Sequence, residues 1–254
     1  MPSKAKNTQH LQPLQNLLKN IPVSVDRAPL TEEEFILQVA EITTKEIAKI
    51  ALERQKLQLK MTNDLLRRSA IPPRYINASL EHGLNEQAHA YKESQAFVTD
   101  FPARLKTGSG MVLWGDVGTG KTYLACAIAN ALLSQLRPVL YCTVQEAVAL
   151  IKSCWTKSTS GLSEYDVYLR FGESELLVID EVGVQTGSDF ERTVLTTITD
   201  IRSRNCLPTV IVSNLELETI YNLLGERMFD RLVGYGANVI HMAGRSMRST
   251  MTRG

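Results

Sequence analysis

The stretch WGDVGTGKTYLA at 114–125 limits what this chain can fold into more than any other. Gly115 to Thr122 spell G-x-x-x-x-G-K-T. An apolar run, MVLW at 111–114, leads in, and TYLACAIANALL leads out with helical spacing. Gly115, Gly118 and Gly120 reach backbone angles closed to residues that carry a Cβ. Such a loop turns its N–H groups inward, and a helix starting at Lys121 adds its positive end. The result is a cradle for nucleotide phosphates. Gly115, Asp116, Val117, Gly118, Thr119, Gly120, Lys121, Thr122 and Tyr123 are expected to line it. Lys121 reaches the outer phosphates as a point charge, and the Thr122 hydroxyl ligates Mg²⁺.

Beyond the loop the chain alternates apolar runs with helical stretches. PVLYCTV at 138–144, LLVID at 176–180, PTVIVSN at 208–214 and ANVIHM at 237–242 read as strands. QEAVALIKSC and the spans 121–136, 189–204 and 216–224 read as helices. Short apolar runs separated by helices indicate a parallel sheet covered on both faces. The predicted fold is therefore α/β, with five parallel strands between helices.

Upstream, Pro72 and Pro73 cannot continue a helix. They set the expected boundary between a small helical domain, 1–70, and the nucleotide-binding domain, 71–254. Residues 31–68 contain no Pro and no Gly. Ile36, Val39, Ala40, Ile47, Ile50, Ala51 and Leu57 recur near helical spacing there. Thr31 and Glu34 form a capping box at the start. The spacing predicts a long helix, with a single break near Thr43-Thr44 as an option. That helix either packs onto the main domain or serves as a docking arm for a partner. A second helix is predicted over 85–100, and TGSG at 107–110 is a turn.

The second half of the site is ELLVIDEVG at 175–183. Its apolar run ends in Asp180-Glu181, one β-α-β unit after the phosphate loop. Asp180 is expected to hold Mg²⁺ through its water shell, and Glu181 to orient and deprotonate the attacking water. A water-activating Glu181 argues against a small-molecule kinase, which must exclude water. No N/T-K-x-D base-reading motif of GTP switches occurs. Asn214 ends the next strand; it either contacts the water or γ-phosphate beside Asp180, or simply forms a turn.

Net charge is +1, so nothing global forces a nucleic-acid partner. The charge is uneven: 11 basic and 8 acidic groups in 1–70, against 17 and 19 in 71–254. Cys126, Cys142, Cys154 and Cys206 form no C-x-x-C pair and have no His at zinc spacing. They read as small buried residues in a reducing compartment. No run approaches the roughly 20 apolar residues of a membrane span. The N-terminal MPSKAKNTQH has no apolar signal core. The cytoplasm is the expected location.

A phosphate loop, VIDE, a strand ending in Asn and a later arginine cluster resemble the AAA+ ATPases. LLVIDEVGVQT with LLGERMFDRL resembles more specifically the DnaC-type replicative-helicase loaders of bacteria and phages, over residues 72–248. A related transposition ATPase family, the IstB-like proteins, shares the core. The resemblance implies ATP as the nucleotide. It also implies that Arg231 reaches the γ-phosphate held by a neighbouring subunit, with Arg227, one helical turn away, assisting. Without the resemblance, either arginine reads as an ion-pair partner of Glu226 or Asp230. Arg248 in GRSMRS matches the second sensor, and the six residues after it leave little or no C-terminal helical lid.

The same resemblance implies a hexameric replicative helicase as partner, assembly of the chain with copies of itself, and single-stranded DNA in an inner channel. Lys152, Trp155 and Lys157 on one loop, with Ser188 and Phe190 on a second, are the candidate DNA contacts. An exposed Trp155 between cations stacks a base; alternatively it packs into the core. Basic Lys56, Lys60, Arg67 and Arg68 either belong to the helicase-docking arm or are merely solvated. The competing functions are a transposition helper that binds duplex DNA and a transposase, and a nucleotide-gated adaptor that does not hydrolyse ATP.

Overall fold

A computed structural model of the chain describes residues 31–81, 87–155, 163–183, 188–233 and 236–246. It separates into two compact units, Met1–Gln55 and Lys56–Gly254. The described part of the first unit is the beginning of helix α1 (Glu32–Arg68). The helix runs unbroken through Thr43 and Thr44, where a break was an option. Each threonine hydroxyl bends back to the carbonyl four residues earlier, Val39 and Ala40, at 2.7 Å. That bond is compatible with helical geometry for a β-branched hydroxyl. Glu41 and Lys45 pair one turn apart at 2.6 Å, with the acid on the favourable N-terminal side. Ile36, Leu37, Val39, Ile47 and Ile50 are all exposed. The expected Thr31–Glu34 capping box involves the Glu34 side chain, which lies outside the described residues.

In the second unit the last turns of α1 bring Leu65 and Leu66 against the core. A short 3₁₀ turn, Pro73–Tyr75, follows the chain break imposed by Pro72 and Pro73. The helix predicted over 85–100 is α2 (Ala88–Thr99), and a further short helix that was not predicted, α3 (Phe101–Thr107), follows it. Pro102 explains the division, because a proline fits the first turn of a new helix, where its missing N–H costs no bond.

Strands β1 (Met111–Trp114), β2 (Val139–Thr143), β3 (Leu176–Asp180), β4 (Thr209–Ser213) and β5 (Asn238–His241) follow. All pair in parallel, in the order β2-β3-β4-β1-β5. The connecting helices are α4 (Lys121–Ser134), α5 (Val144–Ser153), α6 (Glu164–Glu173), α7 (Asp189–Arg204), α8 (Leu217–Leu224) and α9 (Glu226–Val233). The five-stranded α/β arrangement is the predicted one, and the helix over 189–204 has its predicted bounds.

Alternation along the strands makes two cores. Met111, Leu113, Tyr141, Val178, Val210 and Val212 meet α4 on one face, with Phe97 and Phe101 from α2 and α3. Val112, Leu140, Leu177, Ile179 and Ile211 meet α5 to α9 on the other. Burial on both faces explains why the strands read as continuous apolar runs rather than alternating ones. Each fully buried aliphatic side chain contributes about 2 kcal/mol. No helix among the described residues is long and apolar enough to cross a membrane.

Sheet order positions the site. β4 lies between β1, which leads into the phosphate loop, and β3, which ends in Asp180. All three carry their functional residues at the C-terminal end, where open parallel sheets bind ligands.

Candidate functional site

The loop after β1 has the backbone its glycines require. Gly115, Gly118 and Gly120 have φ of 125°, 87° and 94°. Space is as restrictive as angle at two of them. A Cβ on Gly115 would stand 2.6 Å from the Met242 carbonyl oxygen, and one on Gly118 2.2 Å from Ser246 Oγ. The segment after β5 therefore lies directly against the outside of the loop. It is tied there by Gly244 N–H, which donates to Asp116 Oδ2 at 3.2 Å, and by Gln87 Nε2, which donates to the Ala243 carbonyl at 2.7 Å.

Lys121 opens α4 and is buried. Its ammonium curls into the loop, donating to the Gly115 and Asp116 carbonyls at 2.9 and 2.5 Å. Thr119, fully buried, braces the same turn through its hydroxyl to the Asp116 carbonyl at 2.9 Å. Thr122 is half-buried on the first turn, and Val117 is exposed at the tip. Tyr123 points its hydroxyl to the upstream segment, accepting from Ser79 N–H at 3.2 Å. Asn130, two turns on, holds that segment too, donating to the Tyr75, Ile76 and Ala78 carbonyls within 3.0 Å.

Asp180 is buried at the end of β3. One carboxylate oxygen accepts from Glu181 N–H at 2.7 Å, the other from the Tyr141 hydroxyl at 2.8 Å. Burial and then the Asp180 charge push the Cys126 thiol up to about 12 and raise the Tyr141 phenol far above its usual range. Both groups therefore stay protonated beside the carboxylate. Glu181 is exposed and stands at φ 59°, a left-handed conformation that costs a non-glycine residue about 1–2 kcal/mol. The turn beyond it is pinned to β4. Val182 N–H donates to the Val212 carbonyl at 3.0 Å, and Ser213 Oγ donates to the Val182 carbonyl at 2.6 Å. Ala70, Leu136 and Cys206 share the left-handed φ, so what sets Glu181 apart is its place directly after the buried Asp180 at the end of β3.

Asn214 is exposed one residue beyond Ser213, which pairs with Trp114. Sheet register thus puts Asn214 level with Gly115, one residue past the end of β4, the strand that neighbours β3. Loop N–H groups and the Lys121 ammonium fit a triphosphate. The Thr122 hydroxyl and the Asp180 carboxylate are hard oxygen donors of the kind Mg²⁺ takes.

Arg227 and Arg231 sit one turn apart on α9. Arg227 is exposed; Arg231 is half-buried and forms an ion pair with Asp200 on α7. That partner is neither Glu226 nor Asp230, because α9 packs across α7 and brings a residue 31 positions earlier closer than the neighbours in sequence. Arg248 lies outside the described residues.

Among the DNA candidates, Trp155 is 60% exposed rather than packed in the core. Its ring lies 4.9 Å from Phe190, and Lys152 Nζ stands 5.3 Å from the Phe190 ring centre. Two segments 35 residues apart in sequence thus make one aromatic and cationic surface. Trp155 Nε1 also donates to Glu164 at 3.1 Å. Ser188 caps α7, its hydroxyl accepting from Glu191 N–H at 3.2 Å. Lys157 lies outside the described residues. Of the cysteines, Cys126 and Cys142 are buried, whereas Cys154 and Cys206 are half-buried.

Tyr141 and Ser213 are site residues that sequence reasoning missed. A tyrosine in PVLYCTV reads as an ordinary core residue. Its hydroxyl acquires meaning only once β2 and β3 are known to be neighbours.

Comparison with known proteins gives the site its setting. Residues 13–253 match the family described as IstB-like ATP binding protein. Over 222 residues the chain is 35% identical to the replicative helicase loader DnaC of Escherichia coli strain K12, spanning 86% of this chain and 87% of that one. A crystal structure of the DnaC helicase loader matches with a TM-score of 0.56 at 23% identity, over 66% of this chain and 99% of that one. The replication initiator DnaA bound to AMPPCP and single-stranded DNA matches with a TM-score of 0.57 at 17% identity, over 69% and 52%. The structural likenesses show that the fold, a five-stranded parallel sheet covered by helices, is shared with these proteins. A family match running from residue 13 to residue 253, together with sequence identity sustained over most of both chains, shows that this chain belongs to the IstB-like ATP binding protein family and is related to the DnaC-type helicase loaders.

Proposed function

We propose that this chain is a helicase loader of DNA replication initiation, which binds a hexameric replicative helicase and single-stranded DNA and uses ATP as a switch. The observation that carries the reading is the 35% identity to a named helicase loader over 86% of this chain. The phosphate loop supports the nucleotide part of that reading, and the exposed Trp155 beside Phe190 its single-strand part.

In this reading the loop N–H groups and Lys121 bind the phosphates of ATP, and Thr122 with Asp180 holds Mg²⁺. A Mg²⁺ held there would neutralise phosphate charge. Glu181 orients a water on the γ-phosphorus and takes its proton as the bond to ADP breaks. Asn214 holds that water or a γ-oxygen. Arg231 acts in trans, neutralising the transferring phosphoryl group on the next protomer, with Arg227 beside it; Arg248 serves as the second sensor. Hydrolysis then depends on assembly, which turns ATP into a report of whether a loader complex exists. The Trp155, Phe190 and Lys152 surface stacks bases and meets phosphates of a single strand, with Lys157 and Ser188 as further candidate contacts. The division of labour falls at residue 70: the exposed apolar residues of α1 dock on the helicase, and residues 71–254 carry the ATPase.

The test is co-purification of the full chain with a bacterial replicative helicase, with and without ATP, followed by transfer of the helicase to circular single-stranded DNA. Capture and transfer that respond to ATP are expected; no helicase retained under either condition would overturn the proposal. The IstB-like family match favours one alternative, a transposition helper. Higher affinity for duplex than for single-stranded DNA is its distinguishing result.

A further inference from the structure

The carboxylate of Asp180 is held at both oxygens, and only one of the two holding groups is common to any strand end. Glu181 N–H is backbone and is present whatever the side chains. The second, the Tyr141 hydroxyl at 2.8 Å, is a choice made by this sequence. Tyr141 is directly opposite Val178 in the parallel register of β2 and β3. Side chains two apart on a strand share a face, so Asp180 lies diagonally across from Tyr141, within reach of a long aromatic side chain. Tyr141 and Val178 pack in the core under α4, the helix that begins at Lys121. Tyr141 is 5% and Asp180 4% exposed.

We propose that Tyr141 is a positioning residue, whose phenol fixes the plane of the Asp180 carboxylate so that its remaining lone pairs meet the hydration shell of Mg²⁺. The inference rests on the reading of Asp180 as the Mg²⁺-holding carboxylate. A phenylalanine fills the same core volume, so the hydroxyl is not required for packing. What it adds is orientation. With one donor removed, the carboxylate rotates about its own axis with a single restraint, and one buried oxygen is left without a partner. Outer partners of metal-holding side chains influence metal affinity by about ten- to a hundredfold. For a carboxylate acting through a water shell the low end of that range applies.

The experiment uses the full chain and a fluorescent ATP analogue, titrated first with EDTA present and then with increasing Mg²⁺. Tyr141→Phe is expected to bind the analogue in EDTA as the unmodified chain does, and to need about tenfold more Mg²⁺ to reach half of the metal-dependent tightening. Asp180→Asn should lose that tightening, and the double variant should match Asp180→Asn. Tyr141→Leu separates structure from position: its Mg²⁺ midpoint should equal that of Tyr141→Phe, while its melting temperature falls further because the ring is gone. A normal Mg²⁺ midpoint in Tyr141→Phe, with Asp180→Asn impaired, overturns the role of Tyr141 alone. Additive losses in the double variant overturn it as well. A normal Mg²⁺ response in Asp180→Asn overturns the metal reading of Asp180, and the inference with it.

Discussion

Arg202 is the largest of the fully buried side chains among the described residues, and its guanidinium makes six hydrogen bonds. They go to the carbonyls of Phe171, Ser174, Glu175 and Pro208 and to the hydroxyls of Ser174 and Thr209, at 2.6 to 3.3 Å. Burial pushes the group down to about 9, which leaves it charged at neutral pH. The planar fork therefore joins the entries of β3 and β4, the two strands that end in Asp180 and Asn214. Arg202→Met should lower stability by about 3 kcal/mol, since the buried acceptors lose their donors together. An unchanged urea midpoint would contradict that assignment. Glu181 sits at the other ends of the same strands, in a left-handed conformation pinned by Val212 and Ser213. Glu181→Gln should retain ATP but slow its hydrolysis at least about a hundredfold in the assembled complex. A rate within a few-fold of the unmodified chain would remove Glu181 from the chemistry.

At the level of elements, what matters is which segments meet. The end of α5 and the start of α7 bring Trp155, Lys152 and Phe190 together. Stacking on an exposed aromatic is worth about 1–3 kcal/mol per base. Trp155→Ala should therefore weaken oligonucleotide binding by roughly five- to 150-fold and leave ATP affinity unchanged. Equal oligonucleotide affinity in both proteins would end that role. α1 shows the opposite lesson. Its length was readable from the absence of Pro and Gly, but its continuity through Thr43 and Thr44, where each hydroxyl bonds a carbonyl of the same helix, was not.

For the whole molecule the informative contact is between Arg231 and Asp200. Both side chains are about a third exposed, and an ion pair of that kind is worth only about 0–1 kcal/mol. Under the proposed role of Arg231, exchanging Asp200 for a neighbour's γ-phosphate would therefore be cheap. Asp200→Asn should lower the protein concentration that gives half-maximal ATP turnover, by up to about fivefold. Arg231→Ala should lose about a thousandfold of assembly-stimulated turnover. If Asp200→Asn instead reduced turnover as Arg231→Ala does, Asp200 would be part of the active machinery rather than a resting partner.

The phosphate loop, the acidic strand end, the strand–helix alternation and the bounds of α7 were legible in the residues, because each depends on neighbours within a turn or a strand. Glycine angles, helix caps and apolar periodicity act over a few positions, and no distant residue is needed to read them. The cluster around Asp180, the Arg202 clamp, the Asp200 partner of Arg231 and the meeting of Trp155 with Phe190 were decided by tertiary structure. Each joins side chains from separate elements, 39 residues apart in the case of Tyr141 and Asp180. Parallel strands are paired through crossovers of many residues, so their order, and with it every such contact, exists only once the sheet has formed.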